Sequence, residues 1–516
     1  MQSADTRPLL FQRVLNKLAQ AGKNNRVPLL SSLVFGFLAH AFAFTNKLVN
    51  HDEVQCLFSK GATVVSGRWG LGALDAVFPN VSMPWIYGVM TLVLLGVCVC
   101  LLVSVLSIRC KWMQVLAAGF VLTFPSLTGT FGYLFTSSSY GTAFLLAVAG
   151  VWLLQRRSPW DWLGALACMV LSLSIYQAYV SLTASILVLV LIRQLLDGED
   201  APSVFRRGLS YVLFLALSLG VYFGLTQLIL RLKHVRMVGY AADSIAFNLR
   251  SLPAGIALAY RSFFLNFRET ALGLIPTAFS RHIHLLLMLC AAVLLVLRVV
   301  GMGKNAVLLL AALIGVFPLA VNCMYLFTAP ESIHTLVLYS FACVYLLVLL
   351  LADGALSTPF AGKWAEFGRR AALNGTVLLS AAVILINVYV ANEAYLTLHL
   401  RYENAYAFYT SLIADIRQSP EFTEGTKLAV MGTWDDPDFY EENLDFTNYL
   451  TGVTGFKPDS YSKERFLQYY LGFSIPFASE EEQASIAASP EYAEMPVYPY
   501  YGSLRKIGDV MVVKLS

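Results

Sequence analysis

Long apolar runs separated by short basic segments dominate the chain up to residue 390. Such runs predict membrane-spanning helices, because about 20 apolar residues in a helix cross the apolar core of a bilayer. The predicted spans are residues 27–49, 84–107, 112–127, 134–154, 162–192, 209–230, 284–300, 306–327, 335–351 and 371–390.

One of these runs, residues 162–192, is too long for a single crossing. As one helix it would measure about 46 Å, against about 30 Å of apolar core. Both of its flanks are basic, with Arg156 and Arg157 before it and Arg193 after it. We therefore predict two short helices with a turn within residues 174–177, which brings the total to about eleven spans. One long tilted helix is the alternative, and it would invert the topology downstream.

The basic residues between spans set the orientation, because cytoplasmic loops of membrane proteins are rich in Lys and Arg. This rule predicts a cytoplasmic N-terminus at residues 1–26 and a transmembrane domain at residues 27–391. Its larger outer loops are residues 50–83 and 231–282. Residues 392–516 are predicted to form an extracytoplasmic C-terminal domain.

Composition agrees with this class of protein. Hydrophobic residues make up 57% of the 516 residues and charged residues 13%, with a mean hydropathy of +0.64. A soluble globular protein carries about twice that share of charge. The predicted fold is an all-α polytopic membrane protein with a small C-terminal α/β domain.

The C-terminal domain, residues 392–516, shows both helical and strand patterns. Residues 401–417 have helical spacing, and residues 427–431 are apolar enough for a strand. A turn is predicted at 435–438, and residues 506–515 predict either one strand of a hairpin or a pair of strands that turns at Gly508 and Asp509.

Two outer regions carry candidate binding groups. Residues 252–279 are aromatic and amphipathic, and they predict a helix in the interface plane. Their Arg261 and Arg268 would suit a bound phosphate. The cysteines show no metal-ligand spacing with histidine, and the C-terminal domain has none, which argues against a disulfide scaffold.

The first outer loop opens with Asn50-His51-Asp52-Glu53, where two carboxylates adjoin the end of the first span. A carboxylate here could act as a general base toward a hydroxyl group. It could also bind a divalent cation such as Mg²⁺ or Mn²⁺, since carboxylates are hard oxygen ligands. The alternative is a polar boundary that only marks the end of the helix.

The same loop continues with Ser66-Gly67-Arg68-Trp69. The planar guanidinium of Arg68 suits a phosphate or carboxylate, and Trp69 suits a sugar face. An interfacial tryptophan beside an arginine that reaches toward the headgroups is the alternative interpretation.

These first-loop patterns, together with RYENAYAFY, KLAVMGTWD and YPYYGSLRKIGDVMVVKL in the C-terminal domain, resemble the bacterial glucosyl transferase type II family. That family includes serotype-converting O-antigen glucosyltransferases and belongs to the GT-C class of membrane glycosyltransferases. The resemblance extends over essentially the whole chain.

The resemblance implies transfer of a sugar, glucose in this family, from a polyprenyl-phosphate carrier to a glycan hydroxyl on the periplasmic face of the inner membrane. A first-loop carboxylate is the usual base, which falls here on Asp52 or Glu53. Groups that would stabilise the departing phosphate are Arg68, His334, Arg261 and Arg268. GT-C proteins often have Arg or Lys in late loops of this kind, whereas this chain has His334, for which capping of the next helix is an equal alternative.

The predicted turn at Tyr176 and Gln177 would line the sugar pocket, where an aromatic ring stacks on the sugar and an amide bonds its hydroxyls. Packing of the helix turn is the alternative. His51 and Trp69 complete the predicted substrate-binding residues.

Two other functional classes remain as hypotheses. A transporter or a flippase of lipid-linked sugars would place ionisable residues inside the spans, but the spans here are nearly free of charge. A non-catalytic membrane scaffold would function without Asp52 and Glu53. The expected partners are the sugar donor, the glycan acceptor and the bilayer, with no nucleic acid.

Overall fold

The computed structural model describes most of the chain, and the statements below concern those residues alone. They are residues 22–23, 25–59, 61, 63–74, 77, 81–156, 158–237, 250–268, 274–275, 277–356, 362–423, 425–434, 450, 458 and 462–516.

Helices form nearly all of the first 418 residues that the structure describes. In chain order they are α1 (Arg26–Thr45), α2 (His51–Gln55), α3 (Trp69–Leu74), α4 (Pro84–Val105), α5 (Lys111–Thr123), α6 (Pro125–Gly132), α7 (Leu134–Leu154), α8 (Pro159–Ile175), α9 (Tyr179–Leu196), α10 (Ala201–Leu232), α11 (Leu252–Leu265), α12 (Ala278–Val299), α13 (Lys304–Val321), α14 (Ala342–Leu356) and α15 (Lys363–Gln418). The C-terminal domain adds β1 (Lys427–Met431), α16 (Lys463–Tyr469), α17 (Glu480–Ala487), α18 (Pro490–Ala493), β2 (Leu504–Ile507) and β3 (Val510–Lys514).

Nine helices in the described part of the chain are long and apolar enough to cross a membrane, so this is a polytopic membrane protein. They are α1, α4, α7, α9, α10, α12, α13, α14 with the turn before it, and α15. The predicted total of about eleven is not reached by this criterion. The pair α5 and α6 would make a tenth span, and α8, with 17 residues, is among the shorter apolar helices.

The bend between α5 and α6 has a local cause. The two helices meet at 40° around Phe124, whose backbone is extended. Pro125 begins α6 and has no N–H to donate to the preceding turn, so a straight helix cannot continue through it. The predicted span 112–127 therefore ends early and is followed by a second short helix.

The predicted division of residues 162–192 into two helices is confirmed. Helix α8 ends at Ile175 and α9 begins at Tyr179, with the extended residue Tyr176 between them. The C-terminal domain touches the loop after α1, as described below, so both lie at the same end of the bundle. We call this the first-loop end.

Small residues let α1 and α4 approach closely. A Cβ added at Gly36 would lie 2.6 Å from Leu92 Cδ2, and one added at Gly88 would lie 2.1 Å from Phe44 Cδ1. Close approach at small residues is typical of helix contacts in membranes.

A buried carboxylate joins three segments at the opposite end of the bundle. Asp353 in α14 accepts the backbone N–H groups of Arg109 (2.9 Å) and Cys110 (2.7 Å) before α5. Its other oxygen lies 3.2 Å from Arg193 Nη1 at the end of α9, and Arg193 also bonds Asp197 at 2.9 Å. Because both charges are almost fully buried, each depends on the other for solvation.

Helix α15 carries the chain out of the bundle without a break. Its 56 residues span about 84 Å. The predicted helix at 401–417 is part of it, and it also passes through the predicted domain boundary at residue 391. The last span and the C-terminal domain are thus joined by continuous helix.

The C-terminal domain contains a three-stranded sheet in the order β1-β3-β2. Strand β3 runs parallel to β1 and antiparallel to β2. The predicted strand at 427–431 is confirmed, as is the hairpin, which turns at Gly508 with a φ of +60°. The turn predicted at 435–438 lies outside the described residues.

The bonds of Asp353 predict that substitutions of two acidic residues, Asp353 and Glu199, differ in how much they lower the free energy of unfolding. Asp353→Ala removes the buried one of the two carboxylates that bond Arg193 and leaves two N–H groups without their acceptor, so we expect a loss of about 3 kcal/mol. Glu199→Ala removes a half-exposed partner of Arg207 and should cost at most about 1 kcal/mol. Thermal unfolding of the detergent-solubilised protein measures both, and equal losses would contradict the structural role of Asp353.

Candidate functional site

The first-loop end is organised around the short helix α2. Asn50 precedes it with extended backbone, and its side-chain oxygen accepts the N–H of Glu53 at 2.9 Å. The Asn50 amide nitrogen donates to Gly132 O at 2.6 Å, at the end of α6. Asn50 therefore caps the helix and fixes it to the bundle. Asparagine is among the residues preferred at the N-cap position of a helix.

Glu53 is fully buried and bonded through both carboxylate oxygens. One oxygen accepts the backbone N–H of Phe135 at 2.8 Å, in the first turn of α7. The other forms an ion pair with Lys47 and accepts the Ser82 hydroxyl at 2.8 Å. The Lys47 ammonium also donates to Ser82 Oγ at 2.8 Å. Glu53 thus joins the end of α1, the segment before α4 and the start of α7.

Asp52 is the more accessible of the two neighbouring carboxylates, because it is half-buried. Its charge acts on Tyr133, where burial first and Asp52 second raise the pKa of the phenol. Burial and then the Asp52 charge also raise the pKa of the Cys56 thiol to about 12. Asp52 therefore lies close to Tyr133, at the junction of α6 and α7.

A group of aromatic side chains surrounds Arg68, and we call Arg68, Tyr133, Tyr140, Tyr176 and His334 the arginine–tyrosine cluster. Arg68 Nη1 donates to Tyr140 OH at 3.2 Å, and its guanidinium lies 5.7 Å from the centre of the Tyr176 ring. The rings of Tyr140 and Tyr176 stack with centres 4.3 Å apart. This brings the predicted residues Arg68 and Tyr176 together.

His334 belongs to the same cluster, because burial and then the positive charge of Arg68 lower its pKa. The imidazole is therefore neutral at neutral pH. Its side chain makes no capping hydrogen bond to the turn that follows, so the capping interpretation does not describe it. In the described part of the chain, the buried Nδ1 of His334 has no hydrogen-bond partner.

Gln177 and Trp69 hold the first loop in place. Gln177 Nε2 donates to Ser66 O at 3.2 Å and to Tyr222 OH at 3.0 Å. Trp69 Nε1 donates to Thr226 Oγ1 at 3.1 Å. Both side chains therefore fasten the loop to α10, while Gly67 makes the turn with a φ of +74°.

The C-terminal domain covers α2. His51 Nδ1 lies 3.4 Å from Ser462 Oγ, just before α16, and the rings of Phe58 and Tyr469 meet edge-on at 5.1 Å. Burial and then the charge of Glu53 raise the pKa of Tyr470, which places Tyr470 near that carboxylate. The site therefore lies between the bundle and the C-terminal domain.

Arg261 and Arg268 are exposed, the first on α11 and the second just after it. Among the described contacts, neither residue touches the arginine–tyrosine cluster. Helix α11 itself packs on the end of α13, where Asn322 Nδ2 donates to Ala259 O at 3.0 Å and Tyr325 OH donates to Ser262 Oγ at 2.8 Å. The position of α11 in the plane of the membrane interface stays a prediction.

Sequence reasoning missed the partners that complete the site. Tyr133 and Tyr140 are seven residues apart, the spacing that places two side chains on one helix face, and this signal was available. Lys47 and Ser82 offered none, because only the fold brings them to Glu53.

The described residues contain no group of three or more His, Cys, Asp or Glu side chains arranged to hold a metal ion. All eight cysteines are free thiols.

An apolar groove of about 510 Å³ lies between α9, α10 and α13. Its walls are formed by Leu187, Leu191, Val212, Leu313 and Val316, among others. Near one end of the groove, Ser181 Oγ lies 3.2 Å from Cys323 Sγ.

A family model described as Glucosyl transferase GtrII matches residues 41–347, more than half of the chain. The match includes the first loop, the arginine–tyrosine cluster and the groove, and it ends before α15. No curated protein and no solved structure matches the chain. The predicted family is confirmed by this match, and the chain belongs to the glucosyl transferase GtrII family.

Proposed function

We propose that the protein transfers a hexose, glucose in this family, from a polyprenyl-phosphate carrier to a hydroxyl of a cell-surface glycan such as O-antigen. The family match supports a glucosyltransferase, and such an enzyme needs a sugar donor and a glycan acceptor. The observation that carries the proposal is the position of Asp52, an accessible carboxylate beside Tyr133 of the arginine–tyrosine cluster.

Asp52 is the proposed general base and Glu53 a positioning residue. A base must reach the proton of the acceptor hydroxyl, and Asp52 is half-buried whereas Glu53 is fully buried. Both oxygens of Glu53 already bond Lys47, Ser82 and the N–H of Phe135. Glu53 therefore holds α2 so that Asp52 faces the cluster.

The proposed reaction is a single displacement with inversion. The acceptor oxygen forms a bond to C1 of the donor sugar while its proton moves to Asp52. The bond between C1 and the phosphate oxygen breaks, and its electron pair leaves with the polyprenyl phosphate. Arg68 stabilises that phosphate, because a fixed guanidinium acts strongly on charge that develops in the transition state.

The remaining cluster residues fit the sugar. The stacked rings of Tyr140 and Tyr176 form an aromatic surface of the kind that contacts sugar faces. The neutral imidazole of His334, with Nδ1 buried and unbonded in the described part of the chain, suits a sugar hydroxyl better than a phosphate. The predicted phosphate contacts of Arg261 and Arg268 remain proposals that the described geometry does not support.

The apolar groove between α9, α10 and α13 suits the carrier chain. Each buried methylene contributes about 0.8 kcal/mol, so a long isoprenoid gains strongly from such a surface. The reaction as proposed assigns no role to Mg²⁺ or Mn²⁺.

The basic residues of the short loops support an orientation with the site on the periplasmic face of the inner membrane in which such an enzyme would lie. Arg109, Arg156, Arg193, Arg207 and Lys304 lie at helix ends opposite the first loop. Because basic residues favour the cytoplasmic side, the first-loop end and the C-terminal domain would face the periplasm.

A transporter or flippase is the alternative, and buried ionisable groups in the bundle would be its signal. His40 is buried, but its ring nitrogens lie 2.8 Å from Tyr395 OH and 2.7 Å from Leu122 O. Asp353 and Arg193 bond each other and the backbone. These contacts join helices to one another, so they favour a structural role over a transport pathway.

The first prediction of this mechanism concerns Asp52→Asn. Loss of a general base lowers the transfer rate by about 10²–10⁴-fold. The measurement is transfer of radiolabelled glucose from polyprenyl-phosphate glucose to surface glycan in membranes that contain the variant. Glu481→Gln, an exposed substitution in the C-terminal domain, is the control for expression and insertion. Full activity of Asp52→Asn would refute the assignment of the base.

The second prediction compares Arg68→Lys with Arg68→Met. Lysine keeps the positive charge, so Arg68→Lys should keep part of the activity. It lacks the planar set of N–H donors with which a guanidinium can bond Tyr140 and a phosphate at the same time, so the activity should be lower than that of the wild type. Arg68→Met should lose about 10²-fold or more in kcat, as expected when a group that stabilises developing charge is removed. Equal activity of Arg68→Met and the wild type would show that Arg68 does not contact the leaving group.

A further inference from the structure

The C-terminal domain contains a cavity of about 610 Å³ that the proposed reaction does not yet use. It lies where β1 ends, between the start of α16 and the start of α17. Crevices beyond the carboxyl ends of strands that pair in parallel are common ligand sites. Strand β1 pairs in parallel with β3, so its end offers such a crevice.

A buried lysine builds one wall of the cavity. Lys463 is 4% exposed, and its ammonium donates to Val430 O at 2.8 Å and to Gly432 O at 2.5 Å. These bonds hold the end of β1 as it turns at Gly432, where φ is +82°. The buried ammonium of Lys463 therefore fixes the backbone that forms this wall of the cavity.

The side chains around the opening suit hydroxyl groups. Glu464, Glu480, Gln483 and Thr433 line the cavity together with the ring of Phe477. Gln483 Nε2 donates to Ala478 O at 2.9 Å, which fixes the orientation of the amide and of its oxygen. Carboxylates accept hydrogen bonds from hydroxyl groups, an amide both accepts and donates them, and an aromatic ring covers a sugar face.

The charge of the lining favours a neutral ligand. Lys463 contributes one positive charge, whereas Glu464 and Glu480 contribute two negative ones. A phosphate or an acidic sugar would meet these carboxylates at short range, where like charges repel. A neutral saccharide has no such penalty.

The cavity wall also touches the helix of the proposed base. Lys463 follows Ser462, whose hydroxyl lies 3.4 Å from His51 Nδ1, and His51 directly precedes Asp52. The contact between Phe58 and Tyr469 joins the same two helices, α2 and α16. The wall of the cavity and the helix of the proposed base are thus in direct contact through Ser462 and His51.

We propose that this cavity binds the neutral glycan acceptor, through sugars adjacent to the one that is glycosylated. The inference rests on the proposed function, because it names the acceptor site of that reaction. It assigns Glu480 and Gln483 to acceptor binding and gives them no part in the chemistry.

The test compares Glu480→Ala and Gln483→Ala with Glu481→Ala in the full-length protein. Glu480 and Glu481 share the first turn of α17, so both substitutions remove the same favourable interaction with the helix N-terminus, but only Glu480 lines the cavity. The probe is the neutral oligosaccharide repeat released from the surface glycan of the host strain. We expect Glu480→Ala and Gln483→Ala to raise the KM for this acceptor about tenfold and to leave hydrolysis of the donor without acceptor unchanged. Glu481→Ala should match the wild type.

Hydrogen exchange of the wild type with the same oligosaccharide provides a readout that does not need turnover. Protection of residues 430–433 and 463–483 supports the inference, and an acidic oligosaccharide of equal length should give none. Absence of protection, or an equal KM for Glu480→Ala and Glu481→Ala, would overturn it. If the wild type transfers no sugar yet shows this protection, the proposed reaction fails while the glycan site stands.

Discussion

The carboxylate of Glu53 is fully buried at the point where three segments of the bundle meet. A buried charge is costly unless partners replace water, and here the ammonium of Lys47, the hydroxyl of Ser82 and the N–H of Phe135 do so. The position of α2 follows from this network. Because Asp52 directly precedes Glu53 on that helix, the direction of its side chain depends on the same bonds.

The rest of the site is arranged around that fixed helix. On one side, Tyr133 of the arginine–tyrosine cluster lies near Asp52. The other members of the cluster come from the first loop, from α7, from the turn before α9 and from the segment between α13 and α14. On the other side, Ser462 and Tyr469 bring the C-terminal domain against α2 and its following loop. In the proposed reaction, a donor held in the membrane and an acceptor held outside it meet at Asp52.

Much of the architecture could be predicted from local sequence. Apolar runs located the spans, and basic flanks divided residues 162–192 into two helices, as the structure shows. The break at Pro125 and the continuity of α15 past residue 391 were missed, because hydropathy reports the apolar length of a segment and not its bend or its extension into solvent.

The roles of Asp52 and Glu53 could not be separated from sequence. The two residues have the same chemistry and are adjacent, and they differ by about 100° around a helix. What distinguishes them is distant in sequence: Ser82 and Phe135 reach Glu53, whereas Tyr133 lies near Asp52. Sequence reasoning did propose Arg68, Tyr176 and His334, and the fold brings these three together.

The central claim is that Glu53 stabilises the site and Asp52 acts in it. Its most direct test is the thermal unfolding of Glu53→Gln and Asp52→Asn in detergent, each compared with the wild type. Glu53→Gln leaves Lys47 without its ion-pair partner, so the account predicts a loss of about 3 kcal/mol, with Asp52→Asn close to the wild type. A wild-type melting temperature for Glu53→Gln, or an equal loss in both variants, would contradict it.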